Sequence, residues 1–309
     1  QSNVTSYAAT IVAIITLEGF AGMWINAFIV SVICMAWIKK ETLNSNEKIL
    51  LFLGCIRFWY LCILWVYDFL SVIYPKYLYV QRTLQLVVSI QIFLNCSNIW
   101  GSACLFGFYC IKIANFTNSF FIYLKVKIDR IVPWLLLVSV FSSLIIGIFV
   151  YNVTNNDFSK KLNFICQGII WSASAGEEER FFFTYLLIGF GYVTSFVAVI
   201  FSALLLLFSL WRHKRNMQTN SMRDLSMEAH IKAMKSVLSF LVMYSINFII
   251  LIMILTYTVG GQNHMKFFIN VFLCAFPGVH SLILICSNPK LEKSLLRILF
   301  CVKCKVCMK

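Results

Sequence analysis

Formal charge is scarce in this chain. Only 12% of its 309 residues are Asp, Glu, Lys or Arg, while 61% are hydrophobic and 29 are Phe. A soluble monomer of that composition would expose too much apolar surface, so the class is a polytopic membrane protein. Proline and glycine are sparse as well, at 4 and 13 copies. With no convincing internal repeat beside them, the paired broken helices that mark a transporter's midplane site are not expected. Histidine is rarer still, and its 4 copies are scattered: only His280 falls inside an apolar run. No acid/base, nucleophile or metal set converges in that distribution, so the sequence points to no enzyme, no metal site and no cofactor.

What the chain does have is long apolar runs. They place membrane spans at about 8–37, 49–74, 80–111, 131–151, 181–211, 232–259 and 266–287, each long enough to cross a bilayer with some tilt. The expected fold is an all-α membrane protein, a seven-transmembrane-helix bundle forming one domain over 1–309. The last run breaks at Asn288-Pro289, where proline fixes its own backbone and restricts the residue before it. Beyond it "KLEKSLLRILF" alternates basic and apolar faces, as a short cytoplasmic membrane-parallel helix over 289–300 would. No charged n-region and cleavage site precede the first run, so no cleaved signal is expected and the first helix serves as targeting signal.

Lys and Arg set the orientation, because short cytoplasmic connections retain them. One set of connections carries Lys39, Lys40, Lys48, Lys125, Lys127, Arg130, Arg212, Lys214, Arg215 and Arg223, and the tail adds Lys290, Lys293, Arg297, Lys303, Lys305 and Lys309. The opposite set has Lys76, Arg82, Lys160, Lys161, Arg180 and Lys266. With seven spans this puts the N-terminus outside and the C-terminus inside, in a multi-pass plasma-membrane protein. The same distribution argues against nucleic acid as the partner behind a net charge of +14, and favours anionic membrane lipid and a cytoplasmic protein.

Of the 12 cysteines, only Cys166 is clearly extracellular, and a disulfide needs two partners, so none is expected outside. The tail "CVKCKVC" offers Cys301, Cys304 and Cys307, a weak zinc pattern for want of a fourth ligand; palmitoylation and unmodified thiols are the open readings. Sequons at Asn3 and Asn152 meet the glycosylation machinery in this layout, whereas those at Asn95 and Asn115 fall within a span and at the cytoplasmic side.

Polar residues inside spans carry the functional signal, since charge in hydrocarbon faces a bundle interior or a wet cavity. Glu18, Gly22 and Asn26 recur every four residues on one face of the first helix. Arg57 lies in the inner half of the second, where Asn26, backbone carbonyls and the seventh helix are expected to accept its hydrogen bonds. It is read first as bundle glue, ahead of ligand contact. Asp68 lies near the outer end, either solvated or at a cavity.

Several stretches together are similar to the bitter taste receptors, the type 2 taste receptor family of G-protein-coupled receptors. They are "LEGFAGMWINAFI", the inner Arg57, "FYCIKIANFTNSFFIYLK", "LLLLFSLWRHKRNMQ", "EAHIKAMKSVLSFLVMY" and "AFPGVHSLILICSNPKL". The order in which they occur is as telling as any one of them. Departures exist: Cys55-Ile56 precede Arg57 where the family usually has a serine, Ser195-Phe196 stands where Pro-Phe is common, and Gln91 stands where many members carry a pocket tryptophan.

The resemblance implies a receptor that binds small bitter-type agonists and activates a heterotrimeric G protein of the gustducin/inhibitory class. It implies an outer cavity including Asp68, Gln91, Ile92, Asn95, Leu187, Gly191, Asn247 and Asn270, with helix-to-helix hydrogen bonding the competing role for the two last asparagines. It assigns a packing and activation core to Asn26, Arg57, Tyr244, Pro277, His280 and Ser281, with Tyr109 at its inner end. Lys112, His230 and Lys235 fall in the coupling region. A pheromone-type seven-helix receptor is the nearest alternative, and a small-solute transporter a more distant one.

Overall fold

A computed structural model of the chain describes residues 2–40, 42–74, 81–113, 119–153, 175–218, 224–257 and 263–307. They form eight helices: α1 (Ser2–Lys40), α2 (Ser45–Ile73), α3 (Gln81–Ile113), α4 (Ser119–Val153), α5 (Ala175–Gln218), α6 (Asp224–Tyr257), α7 (Asn263–Ser287) and α8 (Pro289–Cys307). The first seven are each long and apolar enough to cross a membrane. Helix is what apolar surroundings demand, since every backbone N–H and C=O must be satisfied within the segment. Polar side chains follow the same rule: Ser89, Ser143, Ser245 and Ser287 each donate to the carbonyl four residues earlier.

The helices close a ring in which α1 touches α2 and α7, α5 touches α6, and α6 touches α7, while α3 packs on α2, α4 and α5. α3 and α7 are the most buried of the spanning helices and α4 the least. Leu137, Phe141, Ile145 and Ile148 of α4, and Val197, Phe201, Leu204 and Phe208 of α5, form outward apolar stripes that a bilayer would cover. The α1–α7 contact is close because both sides are glycine: a Cβ at Gly278 would sit 3.1 Å from Gly22 Cα.

Several helices run past the apolar stretch that predicted them. α4 begins at Ser119 rather than near 131, adding turns that carry Lys125, Lys127 and Arg130. Pro133 within it has no N–H to offer the carbonyl of Asp129, and the Ser45 hydroxyl donates to that oxygen instead, at 3.4 Å. The Asn288-Pro289 break has an equally local cause. Asn288 N–H closes α7 on Leu284 O at 3.1 Å, and its side-chain oxygen accepts from the N–H groups of Lys290 and Leu291. Asparagine as N-cap followed by proline in the first turn starts α8. α8 then buries Leu291 against the bundle and leaves Leu296, Leu299 and Phe300 exposed.

Candidate functional site

Among the described residues, Arg57 is the largest side chain with no exposure at all. Its Nε donates to Asn98 Oδ1 at 2.8 Å, Nη1 to Ser281 Oγ at 3.0 Å and Nη2 to Ser102 Oγ at 3.1 Å. Nη2 also lies 2.7 Å from His280 Nδ1. A guanidinium has only donors, so Nδ1 accepts and the His280 proton sits on Nε2. Ser281 Oγ passes the network on to Asn26 Oδ1 at 2.7 Å, and Asn26 Nδ2 donates to Gly22 O at 2.8 Å. One cation thereby ties α2 to α3 and α7 directly, and to α1 through Ser281.

This differs from the expected partners. Asn26 is reached at one remove, and two side chains of α3, Asn98 and Ser102, do work expected of backbone carbonyls. The missed signal was in the sequence: Asn95, Asn98 and Ser102 share one helical face in an otherwise apolar run.

An aromatic series leads away from that network. Phe276 and Phe240 lie 5.6 Å and 5.0 Å from the His280 ring, Phe106 lies 5.6 Å from Phe240, and Tyr244 lies 6.4 Å from Phe106. Phe196 stacks on Tyr244 at 6.3 Å and on Phe248 at 3.9 Å. The Tyr244 hydroxyl donates to Ile99 O at 3.3 Å, fixing α6 to α3. Ser195, where a kink-forming proline is common in the family resembled, donates to Tyr192 O and leaves α5 continuous.

Among the residues expected at the outer cavity, Asn95 Nδ2 donates to Tyr192 OH at 2.9 Å, joining α3 to α5. Asn270 Nδ2 donates to Asp68 Oδ1 at 3.4 Å, joining α7 to α2. Asp68 is only 6% exposed, so it is a buried group rather than a solvated helix end. Gln91, Ile92 and Gly191 are half-buried. Asn247 is 4% exposed and, among the described residues, its side chain makes no hydrogen bond. Leu187 lies on α5 with its side chain outside the described set.

At the end of the bundle where α8 packs, Tyr109 OH donates to Asn46 Oδ1 at 3.1 Å and Lys112 pairs with Asp129 at 2.6 Å. Glu47 accepts the Asn44 N–H at 3.1 Å and pairs with Lys290 of α8, while the Ser236 and Ser287 hydroxyls join α6 to α7. Lys235 is exposed. The side chains of His230 and Asn3 lie outside the described set, as does Cys166 altogether; Asn152 is exposed near the end of α4. Among the described residues no group of three or more His, Cys, Asp and Glu is arranged to hold a metal.

The family model for "Taste receptor protein (TAS2R)" matches residues 4–303. Taste receptor type 2 member 40 of Gallus gallus is 34% identical over 305 residues, covering 97% of this chain and 96% of its own length. Taste receptor type 2 member 2 of Homo sapiens is 30% identical over 298 residues, with 96% and 97% covered. In fold, squid rhodopsin superposes with a TM-score of 0.61 at 11% identity, over 96% of this chain and 86% of the other.

Proposed function

The chain belongs to the taste receptor type 2 family, and on that premise we propose that it binds small bitter-type molecules in the outer half of the bundle and activates a heterotrimeric G protein. It is a multi-pass membrane receptor, not an enzyme. Family membership leaves the pheromone-type and transporter readings without support.

The observation that carries the proposal is the continuous series from Phe248 through Phe196, Tyr244, Phe106 and Phe240 to His280, which ends on the Arg57 network. Agonist acts on its outer end. Asn247, buried with amide groups uncommitted among the described residues, offers a donor and an acceptor there; Gln91, Ile92, Asn95, Leu187, Gly191, Asp68 and Asn270 complete the cavity. An agonist that binds one packing of α6 against α3 and α5 more tightly than the other shifts the population toward it. The hydrogen bond from Tyr244 to Ile99 O and the ring contacts are what that shift rearranges. Asn26, Arg57, Pro277, His280 and Ser281 hold the inner bundle while it happens, and Tyr109, Lys112, His230 and Lys235 lie where the G protein engages. That partner is of the gustducin/inhibitory class.

The N-terminus is extracellular and the C-terminus cytoplasmic in the plasma membrane, on the asymmetry of Lys and Arg. Asn152, exposed on α4, and Asn3 then carry glycans. Glycosidase should collapse a heavier gel band and Asn152→Gln should remove much of that shift; an unmodified Asn152 in mammalian cells would speak against the orientation. The function itself is tested by screening bitter compounds on cells expressing the chain with a gustducin-type G protein. Concentration-dependent calcium release, absent from cells without the chain, is expected. Silence from a surface-expressed receptor across a broad panel would refute it.

A further inference from the structure

α2 and α4 touch each other only sparsely, although both pack extensively on α3. Between them an outward-facing cleft of about 500 Å³ is lined by Phe52, Pro133, Leu136, Leu137, Val140 and Phe141, with Lys48 at its rim. Lys48 also borders a second, polar cleft with Asn44, Ser45, Asn46, Lys112 and Asp129. The two clefts therefore meet at one cation. Ser45, Lys48 and Phe52 follow each other at helical spacing along one face of α2, so the surface passes from polar to cationic to apolar within two turns.

The charge at the junction is not internally balanced. Lys48 is exposed; its charge acts on the Asp129 carboxylate across the polar cleft, but among the described residues its ammonium makes no hydrogen bond or ion pair. The nearby carboxylate of Asp129 is taken by Lys112 at 2.6 Å, and that of Glu47 by Lys290 of α8. An apolar slot open to the bilayer, ending on an exposed ammonium beside hydroxyl and amide groups and the Lys112–Asp129 pair, has the polarity sequence of one phospholipid with an anionic headgroup.

We propose that the α2–α4 cleft is a binding site for an anionic glycerophospholipid of the inner leaflet, with an acyl chain along Phe52, Leu137 and Phe141 and the phosphate on Lys48. Only the leaflet depends on the orientation proposed above; the site itself does not. A sterol would fill the slot without using Lys48, and a zwitterionic lipid would gain little from it. A surface-near lysine contributes about a fivefold preference for acidic over zwitterionic lipid.

The test uses the purified full chain in nanodiscs containing phosphatidylglycerol or phosphatidylcholine with a photoreactive group on one acyl chain, and labelled positions read by peptide mass spectrometry. The glycerol-headed probe should label residues 133–141 about fivefold more than the choline-headed one. Lys48→Gln should erase that preference, Arg212→Gln on α5 should keep it, and Val140→Trp should abolish labelling by both probes. Equal labelling by the two probes, a preference that survives Lys48→Gln, or displacement by cholesterol but not by unlabelled phosphatidylglycerol would each overturn the proposal. None of these readouts requires an agonist or a G protein, so failure here leaves the receptor function standing.

Discussion

Replacing Arg57 by alanine deletes four polar contacts at once. Ser102 keeps the bond it donates to Asn98 O and Ser281 keeps the bond it donates to Asn26 Oδ1. Asn98 Oδ1 and His280 Nδ1 lose the only hydrogen bond described for each. Leaving a buried acceptor unsatisfied costs about 1–3 kcal/mol, so two of them plus the void of a fully buried side chain are consistent with the roughly 3–5 kcal/mol typical of breaking a buried charged network. That is a large fraction of a typical folding free energy, about 5–15 kcal/mol. Surface immunodetection and calcium release, measured for several agonists in parallel, should therefore fall together. Arg57→Lys should recover little, because a single ammonium cannot span Asn98 on α3 and Ser281 on α7 with fixed fork geometry. An agonist-selective loss at normal surface expression would refute this reasoning and put Arg57 in the ligand cavity.

Gly278→Val should lower surface expression more than Gly278→Ala, since even a Cβ comes within 3.1 Å of Gly22 Cα and overpacking costs about 1–3 kcal/mol; thermal melts of purified variants that rank the two equally would contradict the close α1–α7 contact. Asn247→Leu is expected to weaken agonists that hydrogen-bond by about tenfold at unchanged expression, and an unchanged dose-response curve for every agonist would remove Asn247 from the cavity. Asp68→Asn keeps the shape of the contact to Asn270 but removes its charge, so a protonated agonist should lose about tenfold more potency than a neutral one of similar shape. Equal shifts for the two would leave Asp68 as a tie between α2 and α7.

The seven spans were legible because apolar runs of bilayer length have few alternatives, and the α7–α8 break because Asn288-Pro289 is a cap written in two adjacent residues. The partners of Arg57 were only partly legible. A buried guanidinium demands acceptors, but which helices supply them depends on rotation and neighbour order, and no periodicity in α2 reports the face of α3. The burial of Asp68 was hidden for a related reason: its place near a helix end suggests solvent, and only the approach of Asn270 from α7 removes it. The α4 extension was missed because hydropathy marks where hydrocarbon ends, whereas backbone hydrogen bonding continues the helix through Lys125 and Arg130.

In the proposed function, occupancy of the outer cavity is transmitted to a G protein at the inner end. The most direct test of that transmission is nucleotide exchange on a purified gustducin-type heterotrimer, mixed with the full chain in nanodiscs and titrated with a compound shown by thermal shift to bind the receptor. The compound should accelerate exchange, with Asn247→Leu moving the half-maximal concentration and leaving the maximal rate in place. A compound that binds yet leaves exchange at its basal rate at every concentration would show that the cavity and the G protein are not coupled.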